Sequence, residues 1–172
     1  QLDVVPKEAL AAVLELEKEA FPACERLGDG FQPFLVPRTN GLVLAESEDH
    51  RVAGYLLFAK AAAIGLITKV AVGAAFQGRG IGTALMQRGI DAIIGVSRRT
   101  DCIQLHVDPA RASAVRLYER CGFQVASRLP GYYRSGPAAE AAKFEARDAL
   151  LMQKAVGVGQ PRPWQHAARE RN

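Results

Sequence analysis

The sequence predicts an α/β (α+β) domain organised around one strand–turn–helix unit, and three stretches carry that prediction. The first is Val70 to Thr83, where a short apolar run passes through a glycine-rich turn into an apolar-periodic segment, Ile81 to Val96. The second is a pair of strand-like runs, Leu42 to Ala45 and Val52 to Ala59, joined by the polar link Glu46 to Arg51 as a hairpin. The third is Cys102 to Val107, a strand with Ile103, Leu105 and Val107 on one face and Gln104 and His106 on the other. A parallel strand covered on both sides would be apolar throughout, so this polar face is expected to open onto a cleft.

The glycine turn is the first sign of chemistry. A strand that turns tightly into a helix aims free backbone N–H groups, and the positive end of the helix dipole, at one point. Such a point favours an anion, most often a phosphate, and glycines let the backbone approach it with φ > 0. A nucleoside-triphosphate loop would need Gly-Lys-Ser/Thr, and no such Lys follows. The dinucleotide pattern Gly-x-Gly-x-x-Gly fails as well, because its last position falls on Thr83 or Leu85. What stands is Gln77-Gly78-Arg79-Gly80-Ile81-Gly82. The alternative is a glycine-rich turn that holds no ligand.

Bulk properties narrow the class. A chain of 172 residues is expected to be one domain, since domains run to roughly 100–200 residues. A net charge of +4 suits an anionic cofactor, a ribosomal surface or nothing in particular, and is too weak to argue for nucleic-acid binding. The three cysteines, Cys24, Cys102 and Cys121, are odd in number and lack C-x-x-C spacing, which argues against a disulfide framework or a metal site. No basic-then-apolar leader and no run of about 18 apolar residues is found. A soluble, cytoplasmic protein without a membrane partner is therefore expected; the chain does not open on Met, which leaves a removed targeting segment open.

The remaining elements follow in order. Leu2 to Val5 reads as an edge strand, and Pro6 suits the first turn of a helix carrying Leu10, Val13, Leu14 and Phe21 at helical spacing, ended by Pro22. Ala23 to Asn40 is an irregular loop, either a binding loop or one anchored by its own apolar residues. A third strand covers about Leu66 to Val72. Asp108-Pro109 reads as a helix start with Asp108 as cap, and Gly122 as its terminator. Phe123 to Ser127 is a strand, Leu129 to Gly136 a turn region, Ala138 to Phe144 ambiguous, and Asp148 to Ala155 a last strand. From Gly157 the composition is that of a disordered tail, so the domain is placed at 1–156 and the tail at 157–172.

The turn Gln77 to Gly82 closely resembles the pyrophosphate loop of the GCN5-related N-acetyltransferases (GNAT), Gln/Arg-x-x-Gly-x-Gly/Ala. The segment from Leu105-His106-Val107 to Ala114-Val115-Arg116-Leu117-Tyr118 and Gly122-Phe123 resembles a second pattern of that family, in the same order and spacing. The resemblance implies a mixed, mostly antiparallel sheet flanked by helices, with two central parallel strands splayed apart and acetyl-CoA in the gap. It implies that Val70, Ala71 and Val72 offer backbone groups to the cofactor, with a main-chain N–H near Val72 as oxyanion donor. Gln77, Gly78, Arg79, Gly80, Ile81, Gly82 and Thr83 would hold the pyrophosphate, Arg79 either adding charge or remaining solvated. Tyr118 matches the tyrosine that protonates the departing thiolate; alone, it would read as a buried tyrosine on an apolar helix face. No metal is implied.

Within the family the strand is similar to that of protein N-terminal acetyltransferases, RimI-like and NatE-catalytic-subunit-like. His106 is then the candidate base for an α-ammonium, its alternative being a hydrogen-bonded structural histidine. Phe21-Pro22 resembles the substrate loop of that group, and Gly131-Tyr132-Tyr133 its peptide-gripping hairpin, although a Tyr pair in a turn is otherwise often a surface packing pair. Two residues depart. Arg111 stands where the family has an Asn that touches CoA; it has only donors but could reach a CoA phosphate. Phe76 stands where NatE-type enzymes place a catalytic Tyr. The implied function is acetyl transfer from acetyl-CoA to the N-terminal α-amine of a protein or peptide, with a ribosome-associated scaffold subunit as a candidate partner. The alternatives are an enzyme for a small amine (an arylalkylamine, a polyamine or an antibiotic) and a CoA-binding module with little catalysis.

Overall fold

The computed structural model describes residues 7–27, 30–31, 40–96, 99–133 and 147–156. Helix α1 (Lys7–Ala20) leads into a short 3-10 turn, Ala23–Glu25. Strands β1 (Asn40–Glu46), β2 (Val52–Ala61) and β3 (Ile64–Val72) form an antiparallel meander. Helix α2 (Ile81–Val96), strand β4 (Cys102–Val107), helix α3 (Ala112–Arg120), β5 (Gln124–Tyr133) and β6 (Arg147–Ala155) complete it. The six strands make one sheet in the order β1-β2-β3-β4-β6-β5, antiparallel except for the β3–β4 pair.

Alternation along the strands builds two cores. On β2, Leu56 and Phe58 face α2 and join Leu85, Met86, Ile90 and Ile93, with Ile103, Leu105 and Val107 of β4 and Tyr118 of α3. Tyr55 and Leu57 face the other way, onto Val13, Leu16 and Phe21 of the α1 side. Gln104 and His106, out of phase with Leu105, therefore lie on the α1 face of the sheet.

The parallel pairing is short. It runs from Ile64↔Cys102 to Ile67↔Leu105 and stops there, although β3 continues to Val72 and β4 to Val107. At that point β3 carries an extra residue: Leu57 pairs with Lys69 and Phe58 with Ile67, leaving Thr68 between them. The Thr68 hydroxyl donates to the Leu57 carbonyl at 3.1 Å. A bulge bends the strand that holds it, and here it coincides with the parting of β3 from β4. The sheet thus has a wedge-shaped opening at its centre.

Two sequence expectations need correction. Asp108 does not cap α3; Arg111 occupies the N-cap with no side-chain bond, while Asp108 Oδ1 accepts from Ala110 N–H at 2.9 Å and shapes the preceding turn. Leu129 to Tyr133 is not a turn but the second half of β5, irregular between Leu129 and Tyr133. Pro130 is tolerated because β5 is an edge strand, where a missing N–H costs no ladder bond. Gly122 does end α3: it takes φ 86°, and Phe123 N–H donates to the Tyr118 carbonyl at 3.0 Å. The expectations for Leu2 to Val5, Ala138 to Phe144 and the tail from 157 fall outside the described residues.

Candidate active site

The wedge is lined on one side by backbone. Gly73 N–H donates to the Ala53 carbonyl at 2.9 Å, and antiparallel pairs alternate, so Ala71 and Lys69 also turn their N–H and C=O groups toward β2. The corresponding groups of Val70 and Val72 then point to the opposite edge, into the space that β4 has left. The Val72 carbonyl is engaged there by Gln77 Nε2 at 3.0 Å. Beyond it a 3-10 turn, Ala74–Phe76, leads to Gly78 and Gly80 at φ 76° and 80°. Their left-handed conformation brings the turn onto the first residues of α2, whose leading N–H groups have no helical acceptor.

A cleft of about 360 Å³ joins these parts, bordered by Val70, Val72, Gln77, Gly80, Thr83, Leu117 and Tyr118. Ala71, Gly78, Ile81 and Gly82 also border it, so nine of the ten residues expected at the cofactor apart from Arg111 are here; Arg79 is the exception, with its guanidinium 5.8 Å from the Phe76 ring. A separate hollow of about 520 Å³ lies between α1, the β1–β2 turn and Ala74–Phe76, with Phe76 forming a wall of both.

Tyr118 reaches the cleft from α3 and is buried, edge-on to Phe123 with ring centroids 6.4 Å apart. Burial is the main reason its phenol is pushed up to about 12, and Arg111 partly opposes this. It is therefore protonated at neutral pH and can donate. The same burial disfavours a thiolate in the cleft, so the difference between the two acids matters more than either value in water.

His106 lies on the other face of the sheet, half-buried, its ring stacked on Tyr132 at 4.4 Å and 14°. Burial holds its imidazolium pKa below the usual value of 6.5, so the ring is neutral at pH 7. Tyr133 stands edge-on to Tyr132, 5.1 Å away. Burial raises its phenol to about 12, and Glu25 adds to the rise.

Arg111 is not among the residues that border the cofactor cleft. Its Nη2 donates to Glu25 Oε2 at 2.6 Å, and its guanidinium lies 5.2 Å from the Phe21 ring. The other Glu25 oxygen accepts from Arg147, which also donates to the buried carboxylate of Asp108. Lys69, 4.3 Å from the Phe21 ring, donates to Glu17 and to the Glu25 carbonyl. The sequence reading passed over Glu17, Glu25, Lys69 and Arg147. Glu17 did carry a signal: it shares a helical stripe with the apolar Val13 and Phe21, so a carboxylate was headed into the core. Pro22 caps the turn that carries Glu25.

The wedge is thus lined by backbone, with the glycine turn and the start of α2 on one side and the imidazole of His106 on the other. A model of the acetyltransferase (GNAT) family matches residues 10–123, and the chain belongs to that family. It is an N-acyltransferase, and the family uses acetyl-CoA. An uncharacterized N-acetyltransferase of Methanocaldococcus jannaschii is 34% identical over 147 residues, 84% of this chain and 85% of that protein. The fold is shared with the ribosomal-protein-S18-alanine N-acetyltransferase of Escherichia coli, at TM-score 0.72, 21% identity and coverage of 92% and 94%. It is shared too with Arabidopsis thaliana NAA60 in complex with a bisubstrate analogue, at TM-score 0.74, 17% identity and coverage of 90% and 98%. A spermidine N-acetyltransferase chimera of Vibrio cholerae and hSSAT has the same fold, at TM-score 0.67, 18% identity and coverage of 90% and 96%. Among the described residues no group of three or more His, Cys, Asp or Glu is placed to hold a metal, and no helix is long and apolar enough to cross a membrane.

Proposed function

We propose that this enzyme transfers the acetyl group of acetyl-CoA to the α-amine of a protein or peptide N-terminus. The observation that carries the reading is His106: a half-buried, neutral imidazole on the sheet face opposite Tyr118, beside the tyrosine pair Tyr132 and Tyr133. A base this weak selects its substrate. An α-ammonium has a pKa of about 7.8 and a lysine or polyamine ammonium about 10.4, so the latter costs about 3.5 kcal/mol more to deprotonate. The diphosphate would rest on the α2 N-terminus and the glycine turn, and the pantetheine would run along the free edge of β3. The amine enters from the α1 face, loses a proton to His106 and attacks the thioester carbon. The Val72 N–H steadies the oxyanion, Tyr118 protonates the departing thiolate, and the second proton shed by the acylated nitrogen restores the phenol through solvent. Positioning of the two reactants through the wedge supplies most of the rate.

The test is free-thiol release from acetyl-CoA, comparing a panel of short peptides with free N-termini against spermidine and an arylalkylamine. Turnover of peptides above the amines supports the reading. Turnover confined to the amines overturns it and favours the small-molecule alternative. By its name the Escherichia coli structure acts on a ribosomal protein, so ribosomal N-termini belong in the panel.

A further inference from the structure

The acceptor side of the wedge is ringed by arginines whose carboxylate partners are turned inward. In the Arg111–Glu25 pair the side chains are 33% and 16% exposed. In the Arg147–Asp108 pair they are 37% and 5% exposed. Each pair therefore shows its cation to solvent and hides its anion. The hydrogen bonding has the same polarity. Glu25 accepts from Arg111 on one oxygen and from Arg147 on the other. Asp108 accepts from Ala110 N–H and Arg147. All four carboxylate oxygens are thus engaged. A guanidinium has five N–H donors, and Arg111 spends one of them on described residues and Arg147 two.

These groups sit where an acceptor would pass. Arg111 lies against Phe21, and Arg147 lies 5.6 Å from the Tyr133 ring. Among the described residues, a visitor to this rim meets outward-facing guanidiniums with spare donors, and no oxygen of Glu25 or Asp108 without a partner. We infer that the preferred acceptor carries a carboxylate next to its reacting amine, as in a peptide with Asp or Glu at its second or third position, and that a cationic neighbour is disfavoured. This rests on the peptide reading above, because it places Phe21, Tyr132 and Tyr133 at the acceptor.

The experiment is kcat/KM for acetyl transfer to three peptides identical except for Asp, Asn or Lys at position 2, at low and at raised ionic strength. The order expected is Asp above Asn above Lys, with about tenfold between the ends at low salt, a gap that narrows as salt screens the rim. The spread should move mainly KM, and the Arg111→Gln variant, which leaves Arg147 bonded to Glu25 and Asp108, should shrink it. Equal rates for all three peptides, or a Lys preference, would overturn the inference while leaving peptide acetylation standing. Acetylation of spermidine in preference to all three would overturn both.

Discussion

Tyr118 and His106 sit on opposite faces of the sheet, which suits the acid and base roles proposed for them. Tyr118 is sealed among Leu85, Leu105 and Phe123, and its burial keeps the phenol protonated. Replacing it with Phe preserves the packing and removes the proton, so kcat should fall by about 10- to 1,000-fold with little change in the melting temperature. Steady-state thiol release and a thermal scan check both halves, and unchanged turnover would take Tyr118 out of the mechanism. For His106 the sign is set by burial: its pKa is lowered, so the neutral, proton-accepting form prevails above that pKa. The kcat profile of the native enzyme should rise with pH through an apparent pKa below 6.5 and then level. In His106→Ala that rise should be lost, and a rise that persists would assign it to another group. Both residues were legible in the sequence, Tyr118 through its motif and His106 through its phase on β4. The engagement of Arg111 was not, because Glu25 lies 86 residues away and nothing local links them.

At the scale of the element, the glycine turn and the free edge of β3 form one device. Gly78 and Gly80 hold φ 76° and 80° with nothing within 4 Å of an added Cβ, so alanine there meets backbone strain and no clash. That strain is about 1–2 kcal/mol per residue. Spent on distorting the turn, it should weaken CoA binding by about tenfold in Gly80→Ala. Calorimetric titration with CoA measures it; an unchanged dissociation constant would show that the turn does not set the anion site. The sequence pattern gave α2 and β4 their bounds because their apolar periods are uninterrupted. It failed on β5, where Pro130 and Gly131 carry turn chemistry inside an edge strand. The Thr68 bulge was likewise invisible, since an extra residue shows only against its partner strand.

For the whole molecule, the sheet is a partition with a hole in it. In the proposed reaction the carrier would take the α2–α3 side and the acceptor the α1 side, meeting at the opening between Val72 and His106. The α1 wall is tied to the sheet by a buried ion pair: Glu17 and Lys69 have side chains 2% and 10% exposed, with Tyr55 donating to Glu17 at 3.4 Å and Leu27 N–H at 3.2 Å. Removing one member leaves a buried charge alone, so Glu17→Ala should lose about 3–5 kcal/mol of stability in urea unfolding. The double variant Glu17→Leu with Lys69→Met should recover most of that loss, and no recovery would mean the site cannot be filled by apolar groups. Long-range pairs of this kind bring together residues 52 apart in the chain, which periodicity does not reveal.

The most direct measurement uses two matched peptides, one with a free α-amine and its lysine acetylated, the other with a blocked α-amine and a free lysine. The account predicts thiol release from acetyl-CoA with the first and almost none with the second. Equal release from both, or release only with the lysine peptide, would contradict it.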